Sequence, residues 1–417
     1  MAQRRRQHHS EPSGHPLIPL LLVLAALTAT VAGLIVLWPR GGVEGDLGSF
    51  GVTGEVYDAT VTGVSSVPCE GTPPRNPSPC QSVAFRLLQG PGQDDSVLLE
   101  LPISRSTPLL EEGQTVLLAR QPEERHGSGE QYLFVDRERR PLLLALAALF
   151  AVAVVTLGRL RGAAALAGLA ASFVVLLLFV LPGILEGRSP ILVSIIGASA
   201  IAFPALYLAH GFTLMTSVAL LGTLLSLAVT GALATLFVDL AAFSGFVSDE
   251  AALLTIGAGR FDLRGLVLGG MVIGALGAIH DMTVTQVSVV WDLRTGSVDM
   301  ERPALFRSGM RAGRDHVAST VNALVLAYAG ASMPLLLLFV LSRQSLSTVA
   351  NGGVVATEIV RTVVGSVGLL SAVPFTTWLA ARLAPGPGTG AAARSRRFER
   401  RRLRRARGEE DRWPAEG

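Results

Sequence analysis

The chain has 417 residues, of which 50% are hydrophobic and 16% charged, with a mean hydropathy of +0.48. Its apolar residues gather in blocks long enough to cross a bilayer, which takes about 20 residues per helix, so a soluble globular protein is excluded and an integral membrane protein is expected. The formal net charge is +3, and lysine is absent, so every fixed positive side chain is arginine.

Arg4, Arg5 and Arg6 lie in a basic N-terminal segment, residues 1–16, and Leu17 to Trp38 follows as the first apolar span. That span is longer than the apolar part of a signal peptide and no small-x-small site follows Trp38, so an uncleaved anchor with a cytoplasmic N-terminus is preferred to a cleaved leader. Residues 41–139 then carry fifteen acids against seven arginines. Runs such as "GVTGEVYDATV", "SVAFRLL", "SVLLELPI", "TVLLAR" and "QYLFV" alternate or are β-branched, with Gly, Pro and Asp clusters between them. They predict an extracytoplasmic β domain of about five strands, the count of an OB-like barrel. Both cysteines fall in "PCEGTPPRNPSPC", and in an exported loop Cys69 and Cys80 are expected to form a disulfide worth up to about 3 kcal/mol. Two cysteines offer too few ligands for a metal site. The domain lacks an aromatic set for stacking oligomers, so packing or docking an envelope protein is the preferred role.

From Arg140 onward the chain becomes a helical membrane domain, residues 140–382, with spans at Pro141–Leu157, Ala163–Leu181, Pro190–Ala209, Phe212–Val238, Gly265–Trp291, Val317–Leu341 and Val354–Ala381. With the first span these make about eight transmembrane helices, since only helices or closed barrels satisfy the backbone in lipid and the runs lack the alternation of barrel strands. The predicted fold is thus an all-α polytopic membrane protein with a small β domain outside. A cytoplasmic N-terminus places "GRLRG" at 158–162, the connector holding Arg294, Arg302, Arg307, Arg311 and Arg314, and the tail on the inner side of a bacterial plasma membrane, as the positive-inside rule requires. The tail, residues 383–417, is basic and predicted to be disordered. Its only aromatics are Phe398 and Trp413, so attraction to anionic lipid headgroups is preferred to nucleic-acid binding.

The stretch "GALGAIHDMTVTQ", Gly274 to Gln286, sets His280 and Asp281 inside the sixth span. At helical spacing Gly270, Gly274, Gly277, Asp281, Thr285, Ser288 and Asp292 form one stripe, expected to pack against other helices. Asp281 lies about ten residues from the inner end, roughly 15 Å deep, near mid-membrane. His280 is turned about 100° away, toward Ile273, Leu276 and Thr283. A charge at that depth costs at least about 2.5–3.5 kcal/mol, so an ion or proton pathway is preferred for Asp281 over a structural carboxyl bonded to a neighbouring Thr or Asn. For His280, pathway and helix packing are equally supported.

Other polar residues can meet that stripe. Ser319 and Asn322 share a face of the seventh span, and Glu358, Arg361, Thr362 and Gly365 are neighbours on the eighth, where Glu358 and Arg361 are expected to pair. Thr223, Ser226 and Thr230 on the fifth span read as helix packing. "RPALFRSGMRAGRD" reads as an interfacial helix with Arg307, Arg311 and Arg314 on one lipid-headgroup-facing side. "FSGFVSDEAALLTIGAG" reads as a surface or re-entrant helix capped by Ser248, with Asp249 and Glu250 in its first turn.

In order and spacing, "GALGAIHDMTVTQ", "GRDHVASTVNALVLAYAGASMPLLLLF" and "NGGVVATEIVRTVVGSVGLLSAVPFTT" resemble the YibE/F family of bacterial multi-pass membrane proteins over roughly residues 140–382. The resemblance implies a small extracytoplasmic β region before a helical core, and an architecture without an assigned reaction. It implies that Asp281 matches the family's acidic residue, and that Gly313 to Asp315 and Thr320 to Asn322 match its Gly-Arg-Asp and Thr-x-Asn elements. His280 stands where the family often carries an apolar residue. P-loop, HEXXH, GxSG and GxGD motifs are all absent, so no enzyme, metal or cofactor is expected. The favoured function is a permease or transport component with a polar pathway past Asp281, lined by His280, Thr285, Ser288, Asn322, Glu358 and Arg361. Without an internal repeat, one set of spans would need a second copy to complete it, making a homodimer. The competing expectation is a scaffold that recruits envelope partners through its outer domain.

Overall fold

The computed structural model describes residues 17–41, 55–69, 79–90, 92–103, 109–121, 131–245, 262–297, 300–342 and 344–384. The expected basic N-terminal segment, the helix capped by Ser248 and the tail beyond residue 384 lie outside the described residues. The chain divides into two compact units, Glu44–Leu157 with Leu253–Arg260, and Met1–Val43 with Gly158–Ala252 and Phe261–Gly417.

In the first unit, strands β1 (Val56–Pro68), β2 (Pro79–Leu87), β3 (Ser96–Pro102), β4 (Thr115–Gln121) and β5 (Gln131–Arg137) form one antiparallel sheet in the order β3-β2-β1-β4-β5. β1 reaches thirteen residues by bending: its register against β2 slips between Val61 and Gly63, a bulge that curls the sheet. Inward residues Ala59, Val61, Val83, Phe85, Leu87, Val116 and Leu118 fill the concave side with almost no exposure. Cys69 and Cys80 are joined in a disulfide with Cα atoms 5.0 Å apart, stapling the far end of the β1–β2 pair. Helix α2 begins at Arg140, whose side chain pairs with Asp58 of β1 and with Glu138. The hydrogen bond from Arg140 holds the Glu138 carboxyl below the usual carboxylate range.

α2 (Arg140–Val175) breaks at Arg159, which has φ 52° and ψ −132°, a backbone outside any helix. The break falls within "GRLRG", where the second and third spans were expected to part. A π-helical turn at Leu176–Val180 and the short α3 (Leu181–Leu185) complete that run. The second unit continues with α4 (Pro190–His210), α5 (Leu214–Leu240), α6 (Leu263–Gly296), α7 (Arg302–Ala331), α8 (Met333–Ser342), α9 (Leu346–Asn351) and α10 (Gly353–Leu383). α5, α6 and α10 pack on one another at its centre, with α4 against α5 and α6, and α7 against α6 and α10. α1 (Leu17–Leu37) lies on α4 and α5. Its C-terminal end is tied by Arg188, which donates to the Val36 carbonyl at 2.9 Å, while the Gly41 amide donates to Glu186 at 2.6 Å.

Among the described residues six helices are long and apolar enough to cross a membrane, seven if the bent pair α7 and α8 is one span. That pair turns by 64° around Ser332. Pro334, two residues on, has no N–H for the Gly330 carbonyl and its ring crowds that carbonyl, so the α7 ladder ends there. One expectation is corrected: "RPALFRSGMRAGRD" is not a separate interfacial helix but the first half of α7, continuous with the seventh span. Leu305, Gly309 and Gly313 are buried there, while Arg307, Arg311 and Arg314 remain exposed on the other side.

Candidate functional site

α6 carries the candidate site, and its start is fixed by Asp262, whose side chain accepts from the Gly265 amide at 2.9 Å. Its buried face consists of Val272, Ala275, Ile279, Met282, Thr283, Gln286 and Val290, turned toward α5, α7 and α10. Backbones approach closely where glycine permits it. A Cβ on Gly368 of α10 would stand 2.0 Å from the Thr230 hydroxyl of α5, and one on Gly222 would stand 2.3 Å from the Thr376 hydroxyl. Within this seam Thr223 and Thr283 share a hydrogen bond of 2.8 Å, and Thr223, Ser226 and Thr230 each donate to the carbonyl four residues back. Their hydroxyls are fully buried, as helix-packing groups are.

Gln286 is the residue that sequence reasoning passed over. It is 2% exposed, and its amide nitrogen donates to the Gly309 carbonyl of α7 at 2.8 Å and to the Thr377 hydroxyl of α10 at 2.6 Å. One side chain therefore joins three helices. A signal was present in Gly309 and Gly313, four apart on a basic helix, which leave room for a long polar side chain beside them.

The stripe of small and polar residues on α6 does not pack as expected. Gly270, Gly274, Gly277, Asp281 and Asp292 are exposed, and nothing lies within 4 Å of a Cβ placed on Gly270 or Gly277. The larger residues on the opposite face make the interior contacts instead, because α5 and α10 meet α6 through their own glycines. Thr285 and Ser288 are half-buried at the edge of the stripe, and the Ser288 hydroxyl donates to the Val284 carbonyl at 3.0 Å. His280 turns toward Ile273, Leu276 and Gly277 in a cleft that it shares with His210, the two rings meeting edge to face with centroids 6.3 Å apart.

The register of the helices places Asp281 along the span. Gly313 packs on Gln286, so in the antiparallel pair α6/α7 the first apolar residue of the seventh span, Val317, stands level with Met282. The exposed arginines of α7 stand alongside the part of α6 beyond Asp281. Trp378 follows Thr377, which Gln286 bonds, and Arg382 lies 4.8 Å over its ring, the arrangement of a membrane–water boundary. Asp281 therefore stands level with the start of the apolar part of α7, about one turn from the level of Arg314.

Asn322 is exposed, and by the same register it is about level with Gly277. Glu358 and Arg361 form the expected pair on α10, at side-chain exposures of 26% and 24%. Gly365 packs beside Ala275, so the pair lies more than two turns further from the arginine-bearing end than Asp281, and the structure does not bring them together. Glu358 instead borders a separate, largely apolar cleft of about 340 Å³ between α7, α8 and α10. Neutralising either partner of the pair should lower the melting temperature, and neutralising both should recover part of the loss, with a coupling of about 0.5–1 kcal/mol. A double variant as unstable as the sum of the singles would show that the two act separately.

The fold and this constellation define a multi-helix membrane protein with a carboxylate on an open helix face. The YibE/F-like protein family matches residues 146–386, more than half of the chain, and the chain belongs to that family. The match begins within α2 and takes in every helix from α3 to α10. No curated protein and no solved structure matches the chain significantly.

Proposed function

We propose that the chain crosses the bacterial plasma membrane eight times and serves as a permease or transport component, with a polar route that passes Asp281. The count of eight rests on the Arg140–Leu185 run of 46 residues, which is broken at Arg159. At about 1.5 Å per residue it is some 69 Å long, more than twice the ~30 Å hydrocarbon core. The arginine-bearing ends face the cytoplasm, and the β unit lies outside. The ends of its strand order, β3 and β5, come near each other without pairing, which supports reading the sheet as a partly open OB-like barrel.

Transport is supported above all by Asp281, a carboxylate exposed on a span whose other face is buried, one turn beyond glycines with open space beside them. Ionisable groups in spanning helices mark ion or substrate routes more often than they serve packing. A second copy of this chain, seated on the open face of α6, is the partner expected, because it would cover the glycines and enclose the carboxylate in a shared route. One observation favours the competing scaffold function: the edge strands β3 and β5 present Leu98, Leu133 and Val135 outward at 67%, 46% and 49% exposure, a surface an envelope protein could cover.

The test is flux in liposomes. Asp281→Asn should keep the fold and abolish dissipation of a proton or cation gradient, while Asp281→Glu should retain part of it. Equal flux through the parent and Asp281→Asn would remove the carboxylate from the route and leave the scaffold as the better account.

A further inference from the structure

On one flank of the helical unit, α2, α4 and α6 enclose a cleft of about 470 Å³, inside the ~300–1,000 Å³ range of small-molecule sites. Leu169 and Phe173 of α2, Ile201 of α4, and Ile273 and Leu276 of α6 make its walls apolar. Leu169 and Phe173 are themselves 46% and 55% exposed, so the cleft opens sideways, where lipid would be. Ser172 also lines it, but its hydroxyl is satisfied by the Gly168 carbonyl at 2.8 Å. The polar groups left are the imidazoles of His210 and His280 at one end, neither of which has a hydrogen-bond partner among the described residues.

That end is the arginine-bearing one. His210 is the last residue of α4, and its ring meets His280, which lies next to Asp281, about one turn from the level of Arg314 on α7. Gly168 packs on Ala205, and Ala165 lines the cleft beside Ala209 and His210, so the part of α2 after Arg159 runs antiparallel to α4. Arg161, exposed one turn before Ala165 and on the same helix face, is thus at the same end. An apolar slot along the span with two imidazole donors and a guanidinium at its boundary end has the polarity of one leaflet: chain inward, anionic head outward.

We propose that this cleft holds an acyl chain of an anionic phospholipid from the leaflet on the arginine-bearing side, with His210, His280 and Arg161 receiving its phosphate. The site does not depend on whether the chain transports, so it can stand or fall apart from the route past Asp281.

The full-length protein, purified in micelles containing equal amounts of phosphatidylglycerol and phosphatidylcholine, is examined by native mass spectrometry for retained lipid. The parent should retain phosphatidylglycerol with about tenfold preference, because both lipids offer a phosphate but phosphatidylcholine also brings a trimethylammonium group, a like charge beside the Arg161 guanidinium. Gly277→Phe fills the cleft from a position with open space, so it should fold and lose the retained lipid. Arg161→Gln should retain lipid without the preference, and the pair His210→Ala and His280→Ala should weaken retention of both lipids. Equal retention of the two lipids by the parent would overturn the proposal, as would retention by folded Gly277→Phe equal to that of the parent. Elution as a single symmetric peak on size exclusion establishes that each variant is folded.

Discussion

Gly368→Ala should destabilise the protein strongly, while Gly270→Ala should be neutral or slightly stabilising. At Gly368 the added carbon would stand 2.0 Å from the Thr230 hydroxyl, whereas at Gly270 it meets no atom within 4 Å. The contact at Gly368 is between the central helices α5 and α10, so relief requires the Thr230 side chain to turn and give up its 2.8 Å bond to the Ser226 carbonyl, or the two backbones to separate. Overpacking of this kind costs about 1–3 kcal/mol or more. Both substitutions raise helix propensity by a similar amount, about 1 kcal/mol, so propensity cannot account for a difference. Thermal unfolding of the two purified variants reads the effect directly. Adding Thr230→Ala to Gly368→Ala removes the offending oxygen, leaving the nearest atom of that residue, its Cβ, at 3.2 Å, and should restore much of the loss. Equal melting temperatures for Gly368→Ala and Gly270→Ala would mean that α5 and α10 are not seated as described.

The second large effect is expected at Gln286. Gln286→Leu keeps the approximate volume but removes the two hydrogen bonds that reach Gly309 and Thr377 from a side chain only 2% exposed. The Thr377 hydroxyl still donates to the Val373 carbonyl at 2.6 Å, so the main loss is the tie to α7. A cost of about 1–3 kcal/mol is expected, concentrated in the basic half of α7. Trypsin should then cut faster after Arg307, Arg311 and Arg314, which are already exposed, than it does in the parent. Unchanged cleavage at those arginines, in a variant that still folds, would show that α7 is held by apolar contacts alone.

The elements that could be read from the sequence are those fixed by local pattern. Apolar blocks located the helices, "GRLRG" marked the break realised at Arg159, strand alternation gave the β1 to β5 sheet, and a spacing of three joined Glu358 to Arg361. The orientation of α6 could not be read in that way. Small residues permit close approach, yet whether they meet a neighbour in the same chain depends on the glycines of that neighbour. Gly222 and Gly368 on α5 and α10 supply the close contacts, which frees α6 to bury its larger face and expose its own glycines. Charge misled at "RPALFRSGMRAGRD": three arginines on one side suggested a helix lying in the interface, and Gly309 and Gly313 on the other side decided for a helix packed along α6. The meeting of His210 with His280 joins residues of different spans and has no local signature.

The uninterrupted course of α7 has a mechanical consequence. From Arg302 to Ala331 it is a rod pinned near Gly309 by Gln286 and ending at the 64° joint before α8. By helix rise the pin lies about 10 Å from the arginine-bearing tip and about 33 Å from the joint. The two arms have a ratio of about three, so a sideways displacement of 1 Å at the tip swings the far end by some 3 Å in the opposite direction. Tyr328, whose hydroxyl stands 3.1 Å from the place of a Cβ on Gly274, sits near that far end and would sweep across the open glycine face. A turn of α7 about that contact would therefore move its basic end and its α8 end in opposite directions and by unequal amounts.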